Sequence, residues 1–135
     1  MTGERVAGVV LAAGLSTRMG RNKMLLFLDG ETLVRRAARA ALAAGLAPVI
    51  VVLGHESERV RVELVDLPVV PVVNPRHGEG VRTSLQEGVA AARGAGALVV
   101  VLADMPFVTA SMIETVVARH RETGAPLVVS RQAVP

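Results

Sequence analysis

Two rhythms of apolar residues alternate along the chain. Unbroken apolar runs occur at "RVAGVVLAA" (5–13), "PVIVVLG" (48–54), "PVVPVVN" (68–74), "ALVVVLAD" (97–104) and "APLVVS" (125–130). Each is bounded by Gly, Pro or polar residues, and each predicts a strand. The segments between them carry helical spacing. "ETLVRRAARAALAAG" (31–45) has apolar residues at 33, 34, 37, 38, 41 and 42, with Gly45 as its stop. "ESERVRVELV" (56–65) predicts a short helix, and "GVRTSLQEGVAAARGAG" (80–96) predicts a longer one that carries Gly88. "TASMIETVVARHRETG" (109–124) predicts a helix capped by Thr109, with Met112, Ile113, Val116 and Val117 on one face.

Strands whose apolar pattern is continuous rather than alternating belong to a sheet covered on both faces. In β-α-β-α order they predict an α/β fold with a mostly parallel sheet and right-handed crossovers. Pro71 places its strand at an edge, because proline cannot donate to a central ladder. With 135 residues and no linker, repeat or low-complexity stretch, the expectation is a single domain over 1–135. In such sheets ligands bind beyond the carboxyl ends of the strands. That rule selects four places: Leu11–Lys23, Gly54-His55, Asn74–Gly80 and Asp104-Met105-Pro106.

Composition narrows the chemistry. Hydrophobic residues make up 51% of the chain and charged residues 20%, which fits a folded protein. Phe27 and Phe107 are the only aromatics, so no base-stacking platform for single-stranded nucleic acid is present. The net charge is only +3 and the arginines are dispersed, which argues against a nucleic-acid partner. The absence of cysteine excludes disulfides, thiolate metal sites and a Cys nucleophile. The N-terminal apolar stretch is too short to span a membrane and reads as the first strand, so a cytoplasmic protein with no membrane partner is expected.

The loop "LAAGLSTRMGRNK" (11–23) follows the first strand. It is not a P-loop, which needs Gly-Lys-Ser/Thr five residues after its first glycine. Nor does it have the G-x-G-x-x-G of a dinucleotide site. After Lys23 comes a short extended piece and an Asp29-Gly30 turn, not a helix. Small residues at Ala12, Ala13 and Gly14 allow close approach to the backbone. Arg18 offers a planar fork for phosphate oxygens, and Lys23 a compact point charge. Lys23 is the one lysine among fifteen basic residues, a placement that composition bias alone does not explain. The bland alternative is a basic surface loop.

Asp104 ends the fourth strand and is well placed to hold Mg²⁺ beside a triphosphate. A turn or capping aspartate is the alternative, but Thr109 is the better cap for the following helix. In "NPRHGEGVRTSLQEG" (74–88), Gly78 and Gly80 lead into a helix whose first turn holds Ser84. Backbone and hydroxyl groups there can read a base edge, or the segment is a plain loop. His55, His77 and His120 lack metal-ligand spacing and carry no catalytic assignment.

Together, "VVLAAGLSTRMGRNKMLL", "VVNPRHGEGVRTSLQEGV" and "VVVLADMPFVT" resemble the MobA-like nucleotidyltransferases, most closely the molybdenum cofactor cytidylyltransferases. The resemblance covers nearly the whole chain in order. It implies a three-layer α/β/α Rossmann-like nucleotidyltransferase fold. It also implies that Leu11, Ala12, Ala13 and Gly14 hold base and ribose through backbone groups, that Arg18 binds phosphates and that Lys23 acts at the α-phosphate. Asn74, Gly80 and Ser84 are implied to line the nucleotide pocket, and Asp104 to coordinate Mg²⁺. The implied reaction transfers CMP from CTP to a molybdopterin-type acceptor with release of pyrophosphate. The guanylyl branch usually has Leu-Ala-Gly-Gly in the first motif, so Ala13 leans toward CTP over GTP. Family members usually continue for several dozen residues, which makes 1–135 the nucleotide-binding, N-terminal portion and the domain truncated. An exposed sheet edge would then favour a homo-oligomer. The alternatives are guanylyl or other nucleotidyl transfer to a different phosphorylated acceptor, or nucleotide binding without turnover.

Overall fold

The computed structural model describes residues 5–13, 23–105 and 107–123. Its elements are β1 (Val6–Ala12), a 3-10 turn (Lys23–Leu25), β2 (Phe27–Leu28), β3 (Glu31–Thr32), α1 (Leu33–Ala43), β4 (Val49–Leu53) and α2 (Ser57–Val62). They continue with β5 (Val70–Val73), a second 3-10 turn (His77–Glu79), α3 (Val81–Ala91), β6 (Ala97–Leu102) and α4 (Ala110–Thr123). The strand expected at 125–130 lies outside the described residues.

Four strands form one parallel sheet in the order β5-β4-β1-β6. β1 sits between β4 and β6, with Gly8 level with Val49 on one side and Val99 on the other. Its seven residues are all buried, as are all five of β4. That burial on both faces is what the unbroken apolar runs encode. β5, with Pro71, is an edge strand. The chain leaves β1 toward β4 on one side and reaches β6 on the other, so the strand order reverses between β1 and β6.

Helices cover both faces, giving the three layers α/β/α. On one face Val10, Val51, Leu53, Val99 and Val101 pack with α1 (Val34, Ala38, Ala41), α2 (Val60) and α4 (Ile113, Val117). On the other, Val9, Leu11, Ile50 and Val52 lie under α3. α3 is centred over β1 and β4, with Gly88 against Val9 and Val52. Leu98, Val100 and Leu102 on the same face of β6 therefore remain only partly buried.

Local chemistry sets the boundaries. α1 ends in a Schellman motif: the Leu46 N–H donates to Ala41 O and the Gly45 N–H to Leu42 O, with Gly45 at φ +84°. The helix begins two residues later than the spacing predicts, because Glu31 and Thr32 pair antiparallel with Phe27 and Leu28. Asp29 and Gly30 form the two-residue turn of that hairpin, both at positive φ (54° and 84°). α2 is shorter than the segment 56–65, since Glu56 takes a left-handed conformation and 63–66 turn away. Arg35 of α1 ties this end down. It makes a bidentate pair with Asp66 at 2.7 and 2.9 Å and donates to Glu63 O. Thr109 caps α4 by accepting the Met112 N–H at 3.2 Å.

Candidate functional site

The carboxyl ends of the strands enclose a cleft of about 310 Å³. Leu11 of β1, Ala13 directly after it and Leu102 of β6 line it from the sheet. It therefore opens where the strand order reverses, the usual ligand position in open α/β sheets. Met24 closes it from the first 3-10 turn, and Asp104 stands at the far lip. The remaining wall is the segment that enters α3: His77, Gly78, Gly80, Val81 and Ser84.

That wall is held by one buried side chain. Asn74 is fully buried, and its backbone N–H extends the sheet ladder by donating to Leu53 O at 2.7 Å. Its side-chain oxygen accepts the Arg76 N–H at 2.9 Å, an Asx turn that folds the chain back. Its Nδ2 donates to Thr83 Oγ1 and Ser84 Oγ, both at 2.9 Å. Thr83 Oγ1 in turn lies 3.0 Å from the carbonyl oxygens of Arg76 and Gly80, and its single proton serves one of them. Because Ser84 Oγ accepts from Asn74, its own proton points elsewhere, and Ser84 lines the cleft. Gly80, at φ +109°, makes the bend into α3 that most side chains would resist.

A second close approach fixes the depth of the cleft. A methyl group on Gly54 would lie 2.6 Å from His77 Cβ and 2.8 Å from Ala13 O. Only glycine there lets the ends of β1 and β4 and the His77 turn meet.

Several expected residues come together. Leu11, Ala13, Gly80, Ser84 and Asp104 all line the cleft. Ala12 does not: alternation turns its side chain into the core beneath α1, leaving only its backbone near the site. Asn74 also corrects the expectation. Its side chain is not part of the lining but spends its hydrogen bonds on the wall behind it. Lys23 opens the 3-10 turn directly before Met24. Gly14 and Arg18 lie outside the described residues. His77, a strand-end histidine within reach of a ligand but given no catalytic role, lines the cleft, as do Met24, Val81 and Leu102, which were not singled out. In the sequence the three apolar ones are indistinguishable from core residues.

Asp104 is exposed, and its carboxylate has no hydrogen bond or ion pair among the described residues. Among the described residues, no group of three or more His, Cys, Asp or Glu gathers as a metal cage. The described residues also contain no helix long and apolar enough to cross a membrane.

The model of the MobA-like NTP transferase domain matches residues 8–134. The chain is 41% identical over 106 residues to the "Probable molybdenum cofactor guanylyltransferase" of Opitutus terrae, covering 78% of this chain and 51% of that protein. It is 36% identical over 117 residues to the "Nicotine blue oxidoreductase" of Paenarthrobacter nicotinovorans, covering 86% and 57%. Among solved structures, a nucleotidyl transferase from Methanothermobacter thermautotroptrophicus superposes with a TM-score of 0.80 at 29% identity, over 86% of this chain and 58% of that one. The chain thus spans about half the length of the curated relatives it matches.

Proposed function

The chain belongs to the MobA-like NTP transferase family, and on that premise we propose that it binds a nucleoside triphosphate in the β1–β6 cleft for nucleotidyl transfer. The acceptor is a molybdopterin-type phosphate, and pyrophosphate leaves. The observation that carries this reading is the Asp104 carboxylate, without a partner among the described residues, in a cleft at the reversal point of the sheet. The chain leaves β1 there into the segment that carries Arg18 and returns at Lys23.

The chemistry needs no protein nucleophile. An acceptor phosphate oxygen attacks the α-phosphorus in line. A new P–O bond forms as the bond to the α–β bridging oxygen breaks, and the electron pair leaves on pyrophosphate. Catalysis is then positioning and charge neutralisation. Arg18 supplies a fork for non-bridging oxygens, and Lys23 a point charge at the α-phosphate.

A single free carboxylate suits Mg²⁺, which keeps several waters and is shared with substrate phosphates rather than caged by protein. Asp104 fits that requirement. The ion, when bound, would offset phosphate charge and orient the triphosphate.

CTP is the preferred nucleotide in this reading. Ala13 supports it, since a methyl group where the guanylyl branch has glycine takes room from a purine. The name of the Opitutus relative favours GTP as the competing assignment. The deciding experiment incubates the chain with Mg²⁺, each NTP and molybdenum cofactor, and measures pyrophosphate and nucleotide-linked product. CTP-dependent product supports the proposal. Tight nucleotide binding without pyrophosphate leaves a binding module and removes the transferase reading. Product with GTP alone overturns the base assignment.

A further inference from the structure

The cleft has one polar wall residue with no assigned role, His77. Its ring is wedged at the meeting point of three segments, over Gly54 and beside the Ala13 carbonyl. Nδ1 is sealed from solvent and has no hydrogen-bond partner. Among the described residues Nε2 makes no hydrogen bond, and His77 lines the cleft, so Nε2 is the ring nitrogen left to meet a ligand. A buried N–H without an acceptor is rarer in proteins than a buried acceptor without a donor. With Nδ1 sealed and unpaired, a proton carried on Nε2 leaves no buried N–H without an acceptor and gives the wall an N–H donor.

The neighbouring residue on that wall points the same way. Ser84 Oγ accepts from Asn74, which leaves its proton free for another acceptor, and Ser84 lines the cleft. Two side-chain donors and no carboxylate thus line the α3 side, while Asp104 stands on the opposite lip. The reading above assigns the phosphates to Arg18, Lys23 and an ion at Asp104, which leaves the base for the His77 wall.

We propose that His77 is a specificity-determining residue whose Nε2–H donates to an acceptor on the nucleobase of the bound nucleotide. This rests on the nucleotide-binding reading above. The O2 and N3 acceptors of a pyrimidine such as cytosine match a wall of donors, and its N4 amino group then faces away from that wall. The lock of His77 against Gly54 keeps the ring in place before binding, so little side-chain ordering is required when the base arrives.

The test uses the 135-residue chain and three probes: CTP, GTP and ribose 5′-triphosphate, which lacks a base. Dissociation constants are measured by calorimetry for wild type, His77→Phe and His77→Gln, with thermal unfolding to check the fold of each. Phe keeps a ring against Gly54 but has no donor, and Gln restores an N–H near the Nε2 position. The expected result is that His77→Phe weakens the preferred nucleotide about tenfold and leaves ribose 5′-triphosphate unchanged, with Gln recovering most of the loss. Equal weakening of the nucleotide and ribose 5′-triphosphate would make the ring a structural prop and overturn the proposal. Unchanged affinities in His77→Phe would overturn it as well, while leaving the nucleotide-binding reading standing. Failure of wild type to bind any of the three probes would remove that reading and the proposal together.

Discussion

Replacing Gly88 by alanine should destabilise the protein, although it puts a better helix former into the middle of α3. On propensity alone the change would gain about 0.5–1 kcal/mol. The added methyl, however, would lie 2.4 Å from Val9 Cγ1 and 3.3 Å from Val52 Cγ2. Val9 is fully buried at the centre of the sheet, and a β-branched side chain on a strand has little rotamer freedom with which to retreat. The remaining adjustment is to lift α3 from the sheet, and overpacking of this kind costs about 1–3 kcal/mol. The net expectation is a loss of about 1–2 kcal/mol, or roughly 3–8 °C in Tm.

Urea unfolding measures this as a lower midpoint with an unchanged slope. The sharper assay is a double-mutant cycle. In a Val9→Ala background the clashing methyl is gone, so Gly88→Ala should become neutral or stabilising, and the two changes should couple by about 1 kcal/mol or more. A rise in stability on Gly88→Ala in the wild-type background would refute the reasoning. So would strict additivity in the cycle, since it would mean that α3 does not rest on Val9. Ser84 and Val81 ride on the same helix and line the cleft. Gly88→Ala is therefore also expected to weaken nucleotide binding, and Val9→Ala to restore it in part.

Asn74→Ala should cost about 2–4 kcal/mol, because it removes three hydrogen bonds and leaves the Arg76 N–H and two hydroxyls short of partners, which denaturant titration will read directly. Lys23→Arg keeps the charge but replaces a point charge with a fork, so turnover in the pyrophosphate assay should fall by most of its value while nucleotide affinity changes little. Asp104→Asn should leave stability within about 0.5 kcal/mol, because the carboxylate is exposed and has no partner among the described residues, yet abolish any Mg²⁺ dependence of nucleotide binding. The Arg35 guanidinium holds the Asp66 carboxyl below its ordinary value through the hydrogen bonds between them. A carboxyl lowered in the folded state adds stability above its unfolded pKa and loses it as pH falls through the folded one. Asp66→Asn should therefore lower stability at neutral pH, leave it unchanged once the carboxyl is protonated, and so flatten the acid side of the stability curve.

The sheet was legible because β1 and β4 are buried on both faces and must therefore be apolar at every position. Gly45 and the Asp29-Gly30 turn were legible because their backbone angles exclude most other residues. The onset of α1 was not. Glu31 and Thr32 fit a helical start by spacing, and only the hairpin partner Phe27-Leu28 takes them away. The site divides in the same manner. Asp104 stands out as a carboxylate ending an apolar strand, and Ser84 as a polar residue in the first turn of a helix. Asn74 and His77 flank a single loop turn, and their spacing does not say which faces the ligand. That depends on Thr83 reaching back to Asn74 and on the missing side chain at Gly54, both contacts made only in the folded chain.

Those two contacts give the cleft its division of labour. The α3 wall is assembled before any ligand arrives, since Asn74 links β5, the His77 turn and α3 through hydrogen bonds internal to the protein. Preassembly of that side lowers the ordering cost of binding, and selectivity among bases needs such rigidity. Asp104 has the opposite character: it is exposed and has no partner among the described residues, which suits a cation that comes and goes with the phosphates. A loss at the wall should therefore appear first in which nucleotide is bound, and a loss at Asp104 or Lys23 in what happens to it afterwards. Comparing base selectivity with turnover across Asn74, His77, Lys23 and Asp104 variants separates the two. Substitutions on both sides that changed selectivity and turnover in fixed proportion would show the cleft to be one cooperative unit instead.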